Sequence, residues 1–244
     1  MQLKKILDLK KECIVSIVGA GGKTSLMLNL AEELKEDNKV LVTTTTKIFP
    51  PSGDQYDYIC LNKKHYLDYS QISNKGIYVF GSSLSKAGKI VGLDSKTIEI
   101  ISQSFNYTLI EADGSKMKPI KGWNVNEPVI YPKTNKTIGI LDIKAIGKKI
   151  NDTNVHRLED FLKLTNSTMN EAINIQHIIS LILHSNGLFK NALGEKILFI
   201  NKVENANELL LANKLLEAVL EKSNICFNKV IIGSLMSKKY QLAF

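Results

Sequence analysis

A short glycine-rich segment, GAGGKTS at residues 19–25, follows directly on an apolar run at residues 14–18. The apolar run predicts a strand that is buried on both faces, and the periodic apolar residues after the segment predict a helix. Glycines at such a junction let main-chain N–H groups turn toward an anion, which the positive end of the helix dipole also attracts. The segment therefore predicts a strand–loop–helix unit that holds phosphate.

The residues of this loop have separate expected roles in binding a nucleoside triphosphate. Lys23 can reach the outer phosphates, and the hydroxyl of Thr24 can ligate Mg²⁺. The loop is shorter than the usual P-loop, because only Ala20 and Gly21 separate the first glycine from the GKT triplet. The candidate phosphate-binding residues are Gly19, Ala20, Gly21, Gly22, Lys23, Thr24 and Ser25.

Two other interpretations of the loop are a plain glycine turn and a dinucleotide-binding loop. A dinucleotide loop of the GxGxxG type would need a third glycine where this chain has Thr24. Its second strand would also end in an acidic residue, whereas this chain has VTTTTK at residues 42–47. A lysine at the start of the helix favours the outer phosphates of a nucleotide over a pyrophosphate bridge.

Strand-like and helix-like segments alternate along the 244 residues. Strands are predicted at residues 14–18, 40–44, 58–61, 77–80, 107–110, 137–141, 196–200 and 230–233. This alternation predicts an α/β protein with a P-loop NTPase-like three-layer fold and a mainly parallel sheet. We expect a single domain over residues 1–244, with a loop-rich and helical insertion at about 114–190.

A second constellation is LIEADGSK at residues 109–116, where a predicted strand ends in carboxylates. The carboxyl end of a strand lies at the sheet edge where phosphate loops are found, so Glu111 and Asp113 are candidates to hold Mg²⁺ or to orient water. They alternate along the strand, which predicts that only one of them faces the metal. The candidate catalytic residues are Lys23, Glu111 and Asp113, and the candidate metal ligands are Thr24, Glu111 and Asp113. The alternative is an acidic strand end that caps a turn.

Two further strand ends are candidates for the nucleotide pocket. Asn201, Lys202 and Glu204 resemble the NKxD sequence with which GTPases read guanine, but the acid is one methylene longer and the Asn-Lys pair occurs seven times in the chain. Guanine reading and ordinary helix capping both remain open, so the nucleotide is ATP or GTP. Thr45 and Lys47 end the second strand and are expected to line the pocket, although threonines there also suit a strand.

Bulk properties limit the classes of partner. The net charge is +8, but the lysines are scattered in pairs, which predicts a solvated basic surface and no nucleic-acid tract. Cys13, Cys60 and Cys226 show no metal-ligand spacing and are expected to be buried, reduced thiols. No segment has the apolar length of a signal peptide or a membrane span, so we expect a cytoplasmic protein without a membrane partner. His156 and Arg157 could meet a phosphate or a partner, or could simply begin a helix.

The chain resembles the YqeC family, accessory proteins of selenium-dependent molybdenum hydroxylases. The resemblance rests on motifs at residues 18–27, 42–51, 111–116, 126–132 and 154–160, and it departs at Leu158, where the family more often has proline. It implies a role in maturing a selenium-containing molybdenum cofactor or its hydroxylase, with that enzyme or a cofactor precursor as partner. The ExxG sequence at 111–114 also resembles metallochaperone GTPases, which often dimerise across the nucleotide, so a homodimer is one expectation. The short GxxGKT loop resembles that of Mur ligases.

Together these features predict a protein that binds and hydrolyses ATP or GTP with Mg²⁺. One alternative is an ATP-dependent ligase or kinase that acts on a small cofactor precursor. Another is a non-catalytic scaffold that binds the hydroxylase and retains only a relic of a nucleotide site.

Overall fold

A computed structural model describes residues 2–222 and 227–244 of the chain. The strands in these residues are β1 (Cys13–Gly19), β2 (Lys39–Thr44), β3 (Lys47–Ile48), β4 (Tyr58–Cys60), β5 (Gly76–Phe80), β6 (Ser83–Leu84), β7 (Ile90–Val91), β8 (Tyr107–Glu111), β9 (Ile120–Lys121), β10 (Lys136–Asp142), β11 (Val155–His156), β12 (Glu195–Asn201), β13 (Lys229–Ser234) and β14 (Lys239–Leu242). The helices are α1 (Leu3–Leu7), α2 (Lys23–Leu34), α3 (Tyr66–Gln71), α4 (Ser95–Ser102), α5 (Leu158–Thr165), α6 (Ile175–Leu183) and α7 (Ala206–Lys222). Single 3₁₀ turns lie at Lys63–His65 and Ile143–Ala145.

Nine of these strands form one sheet in the order β14-β13-β12-β10-β1-β8-β2-β5-β4. Every neighbouring pair is parallel except β13 and β14, which are antiparallel. The predicted strands are all present in this sheet. The predicted mainly parallel α/β architecture is therefore confirmed.

Apolar residues alternate along the strands and so reach both faces of the sheet. Val15 and Ile17 of β1 pack in a core with α1 and α2, whereas Ile14 of the same strand packs with α3 and α4 on the other face. Near the other edge, Leu198 and Ile200 of β12 pack with α5, α6 and α7. Helices therefore cover both faces and give the three layers expected of a buried parallel sheet.

The strand order places β8 between β1 and β2, although it follows both in sequence. Glu111, the last residue of β8, lies in register with Ile17 of β1 and Thr44 of β2. Because parallel strands end at the same edge, the acidic residues after β8 lie beside the loop that follows β1. On the other side of β1, the ends of β10, β12 and β13 reach the same edge.

Segment 114–190 combines one strand of the main sheet, β10, with smaller elements. Strand β9 pairs in parallel with β11, and the helical part of the segment consists of α5 and α6. Asn166 ends α5 in the left-handed conformation, and Asn174 starts α6 with a capping box, so these asparagines separate the helices. A separate three-stranded sheet, β3-β7-β6, lies beyond the end of β2.

Cys13 and Cys60 are buried and free, as predicted, and burial raises the pKa of the Cys13 thiol to about 11. Cys226 lies outside the described residues. Within the described ranges, none of the helices has the length and apolar character needed to cross a bilayer.

Candidate functional site

The glycine loop after β1 is packed tightly against the neighbouring strand ends. Gly21 and Gly22 have φ values of 83° and 140°, which lie outside the range that L side chains prefer. A Cβ atom on Gly21 would lie 2.3 Å from the Cβ of Asp142, and one on Gly22 would lie 2.5 Å from the Nδ2 of Asn201. Both positions therefore require glycine, because backbone conformation and space each exclude a side chain.

The N–H groups of Gly21 and Gly22 are available to an anion, whereas those of Gly19 and Ala20 donate to Asp113 and Ile140. Among the described residues, the N–H groups of Gly21 and Gly22 have no protein acceptor. Helix α2 starts at Lys23, so the N–H groups of its first turn also have no acceptor within the helix. No acidic side chain lies in that first turn to occupy them. The loop and helix thus present several backbone donors and a positive dipole end to one place.

Lys23 is 3% exposed and holds its ammonium group against the acidic end of β8. Its Nζ donates to the carbonyl of Gly19 at 2.7 Å, and it lies 3.3 Å from Asp113 Oδ1 and 3.7 Å from Glu111 Oε1. The side chain also lines the cleft in front of the loop. The ammonium group therefore lies where the start of the glycine loop meets the acidic end of β8.

Thr24 and Glu111 form the second polar pair of the site. The Thr24 hydroxyl donates to Glu111 Oε2 at 2.7 Å, and both residues line the cleft. Burial raises the pKa of Glu111, although Lys23 and Thr24 favour its ionised form. A buried carboxylate beside a hydroxyl is a donor set that suits Mg²⁺, which binds oxygen and usually takes one or two protein ligands plus phosphate and water. No cluster of three or more His, Cys, Asp or Glu side chains occurs in the described part of the chain, so this pair, and no all-protein cage, is what fits the ion.

Asp113 faces the back of the loop and is fully buried. Its carboxylate accepts from the N–H of Gly19 at 3.0 Å and from the indole N–H of Trp123 at 2.8 Å. It also contacts Lys23 and accepts from Lys121 at 3.1 Å. Asp113 does not line the cleft, so the structure places it as the residue that fixes the loop to β8.

Behind Asp113 a row of alternating charges continues into segment 114–190. Lys121 is fully buried and also donates to Glu127 at 2.9 Å. Glu127 in turn accepts two hydrogen bonds from Arg157, at 2.7 and 2.8 Å. Each buried charge therefore has a partner of opposite sign, as burial requires. The row connects Lys23 at the cleft to Arg157 at the start of α5.

The ionisable groups at the far end of this row should make stability depend on pH. Burial, with Lys121 and Arg157 nearby, lowers the pKa of His156 to about 4 from an ordinary 6.5. Burial disfavours ionised Glu127, but the bonds from Arg157 and Lys121 outweigh it and lower its pKa to about 2 from 4.5. Both folded-state pKa values lie below the unfolded ones, so both contributions to stability are present at neutral pH. The contribution of His156 to the free energy of unfolding is lost as pH falls from 6.5 toward 4. The contribution of Glu127 is lost as pH falls from 4.5 toward 2.

We therefore expect the free energy of unfolding to fall as the protein is acidified below pH 6.5. For His156 the loss by pH 4 should be about 2 kcal/mol once partial solvent screening is allowed for. Chemical denaturation of the wild type and of His156→Gln at several pH values would measure it. The wild type should lose more stability than the variant between pH 6.5 and 4, and equal losses would show that His156 does not carry the effect.

The residues after β12 tie the glycine loop to the far side of the sheet. Asn201 is 2% exposed; its Nδ2 donates to the carbonyl of Gly21 at 2.8 Å, and its Oδ1 accepts from the N–H of Leu235 at 3.1 Å. Lys202 donates to Asp142 at 2.5 Å. These side chains do not cap α7, because Asn205 and Glu208 form that cap. Asn201 therefore holds the loop in place from the opposite side to Asp113.

Glu204 lies at the cleft surface next to the end of β13. Its carboxylate accepts from Lys144 at 2.5 Å and from the hydroxyl of Ser234 at 3.1 Å. Lys144 also pairs with Glu208 at 3.4 Å. The hydrogen bonds from Lys144 and Ser234, acting against a burial contribution, lower the pKa of Glu204, which keeps it ionised.

A single cleft of about 1040 Å³ lies in front of these strand ends. It is lined by most of the residues predicted from the sequence, namely Gly21, Gly22, Lys23, Thr24, Ser25, Lys47, Glu111, Asn201, Lys202 and Glu204. Four predicted residues do not line it: Gly19, Ala20, Thr45 and Asp113. Behind the loop, the N–H of Gly19 donates to the Asp113 carboxylate, and the N–H of Ala20 donates to the carbonyl of Ile140. The hydroxyl of Thr45 donates to the carbonyl of Val129.

Several site residues were not anticipated from the sequence. The lysines of the cleft outnumber its acids by seven to two, and Lys89, Lys116, Lys118 and Lys144 are additions to those predicted. Lys121, Trp123 and Glu127 form the buried row. Asp142 ends β10 at the same edge, so the predicted strand at 137–141 could have indicated it.

Comparison with known proteins identifies one family. The family model described as YqeC protein matches residues 15–159. A relative described as an uncharacterized protein YqeC, from Escherichia coli strain K12, is 30% identical over 220 residues, which cover 87% of this chain and 86% of that protein. No solved structure matches the chain significantly. The matched region runs from the glycine loop through Glu111 and Asp113 to Arg157, and on this evidence of sequence and extent the chain belongs to the YqeC family.

Proposed function

We propose that the protein binds a nucleoside triphosphate, ATP or GTP, with Mg²⁺ and hydrolyses it. The observation that carries the proposal is the contact of Lys23 and Thr24 with Glu111 next to Gly21 and Gly22, whose N–H groups have no acceptor within the described part of the protein. A plain glycine turn would not need a buried lysine and a buried carboxylate at the same place. The excess of lysines in the cleft supports an anionic ligand.

The chain's own groups account for the binding and for part of the chemistry. The N–H groups of Gly21 and Gly22 and the start of α2 would hold the phosphates, and the ammonium of Lys23 would move from Asp113 toward the outer phosphates. Thr24 and Glu111 would hold Mg²⁺, which, when bound, neutralises phosphate charge that develops during transfer. Hydrolysis joins a water oxygen to the terminal phosphorus and breaks its bond to the bridging oxygen, giving a nucleoside diphosphate and inorganic phosphate.

The base of the nucleotide would lie toward the ends of β12 and β13. Glu204 supports a guanine there, because an ionised carboxylate accepts from the N1–H and amino groups of guanine, and adenine lacks that pair of donors. Its bonds to Lys144 and Ser234 fix the carboxylate at the cleft surface. A preference for GTP that Glu204→Ala removes would support guanine reading.

The proposed role in the cell rests on the resemblance to the YqeC family alone. The YqeC family resemblance suggests that nucleotide turnover serves the maturation of a selenium-dependent molybdenum hydroxylase or its cofactor. In this proposal the hydroxylase or a cofactor precursor is the partner.

The proposal is tested by measuring nucleotide binding and phosphate release on the purified protein. We expect ATP or GTP to bind in calorimetric titration and phosphate to be released only when Mg²⁺ is present. Competition between the two nucleotides in the same assay identifies the base. Binding of neither nucleotide would contradict the proposal, and a stable complex with the hydroxylase in that case would favour the scaffold alternative.

A further inference from the structure

The cleft in front of the glycine loop has two halves with different chemistry. Strands β10, β12 and β13 end on one side of the loop, and β8, β2 and the small β3-β7-β6 sheet lie on the other. The first half contains the residues assigned above to the nucleotide. The second, which we call the lysine-lined half, is formed by Lys47, Phe49, Lys89, Lys116, Met117 and Lys118.

The lysines of the two halves differ in their partners. In the nucleotide half, Lys202 pairs with Asp142, and Lys144 pairs with Glu204. In the lysine-lined half, within residues 2–222 and 227–244, Lys47, Lys89 and Lys116 have no ion pair, since the ion pairs of that part of the chain involve other groups. Among the described residues, the carboxylates that line the cleft are those of Glu111 and Glu204, and Glu204 is paired with Lys144. This half is therefore a concentration of uncompensated positive charge.

Apolar and strained groups accompany these cations. The ammonium of Lys89 lies 4.5 Å from the ring centre of Phe49, which is 48% exposed. Across the cleft, Lys116 and Met117 both have positive φ values, 49° and 60°, and Met117 is 84% exposed. Two successive left-handed residues without glycine cost energy, and such strain is typical of ligand-binding segments. The Phe49 ring and the Met117 side chain offer apolar surface beside the charges.

We propose that the lysine-lined half binds a second substrate, a small organic phosphate with a flat apolar body, next to the terminal phosphate of the nucleotide. Naming the neighbouring half as the nucleotide site rests on the proposed function above. Lys89 and Lys116 would bind the phosphate group, and Phe49 and Met117 would contact the apolar body. The cleft has a volume of about 1040 Å³, at the top of the range of ~300–1,000 Å³ usual for ligand pockets, and it extends over both halves.

Phenyl phosphate is a suitable probe because it joins a phosphate to a flat ring. The protein is first saturated with Mg²⁺ and a non-hydrolysable triphosphate, and phenyl phosphate is then titrated by calorimetry. The wild type should bind it more tightly than inorganic phosphate, and Lys89→Ala/Lys116→Ala should weaken that binding by about tenfold or more, since two charge-assisted contacts are lost. The control Lys86→Ala/Lys96→Ala removes the same charge from exposed positions that do not line the cleft, and it should change the affinity by less than about twofold.

Separate measurements test the second site and the nucleotide site. Absence of phenyl phosphate binding to the nucleotide-loaded wild type, or unchanged binding in Lys89→Ala/Lys116→Ala, would overturn the second site. If the triphosphate itself does not bind, the proposed function fails. Phenyl phosphate binding to the free protein that is lost in the Lys89→Ala/Lys116→Ala variant but kept in the control variant would still support an organic phosphate site.

Discussion

Lys23→Ala should lower the affinity for the nucleoside triphosphate by about 100-fold, or ~3 kcal/mol, because it removes the buried cation that meets the outer phosphates. Lys23 lines the cleft next to the glycine loop, and its ammonium group lies against Glu111 and Asp113 at the end of β8. The other lysines of the cleft are more exposed, so each should contribute less to the affinity for the triphosphate. Calorimetric titration of wild type and variant with magnesium and triphosphate measures the change.

The control for this variant is Lys35→Ala. Lys35 lies at the opposite end of α2, pairs only with Glu32 on the surface, and should leave nucleotide affinity unchanged. Because Lys23→Ala also leaves Asp113 with one cation fewer, circular dichroism and thermal unfolding of the variant should accompany the titration. A folded Lys23→Ala protein with wild-type affinity would refute the assignment of the loop.

Glu111→Gln should abolish most turnover while the protein still binds nucleotide. The substitution keeps the shape of the side chain and a hydrogen-bond acceptor for Thr24, but it removes the charge proposed to hold Mg²⁺. Loss of that charge should slow phosphate release by about 100-fold or more, because several kcal/mol of charge stabilisation are lost in the transition state. The measurement is steady-state phosphate release with magnesium varied, and the magnesium concentration needed for half-maximal rate should rise.

Asp113→Asn provides the matched comparison, because it makes the same chemical change two residues along the chain. Asp113 is fully buried behind the loop and meets Lys23 and Lys121, so its loss should chiefly reduce stability, by about 3–5 kcal/mol. Thermal unfolding should therefore separate the two variants. Similar turnover in Glu111→Gln and the wild type would show that Glu111 has no part in the reaction.

The elements on either side of the glycine loop were predictable from the sequence. The apolar run of β1, the glycines and the periodic start of α2 are local signals, and they are confirmed as a strand, a loop and a helix. Side chains two positions apart in a strand point to the same face, so alternation does not separate Glu111 from Asp113; β8 ends at Glu111, and in the structure Glu111 contacts Thr24 whereas Asp113 contacts Gly19. The strand, the loop and the helix are set by residues that are close in sequence, whereas the contacts of Glu111 and Asp113 join positions 87 and 94 residues apart.

The buried row of charges and the lysine-lined half of the cleft depend on contacts between distant parts of the chain. Lys121 is fully buried, which composition argues against, since lysine is rarely buried without a partner. Its partner Glu127 is oriented by Arg157, thirty positions away, and no periodic pattern connects them. Lys89 reaches Phe49 because β7 pairs with β3, a pairing of two-residue strands that leaves almost no sequence signal.

The central claim is that the loop after β1 holds the phosphates of a nucleotide, and a crystal structure grown with Mg²⁺ and a non-hydrolysable triphosphate tests it most directly. The account predicts phosphate oxygens within hydrogen-bond distance of the N–H groups of Gly21 and Gly22, with Lys23 on the outer phosphates and the metal next to Thr24 and Glu111. A nucleotide bound elsewhere, or a loop that stays empty at saturating ligand, would contradict it.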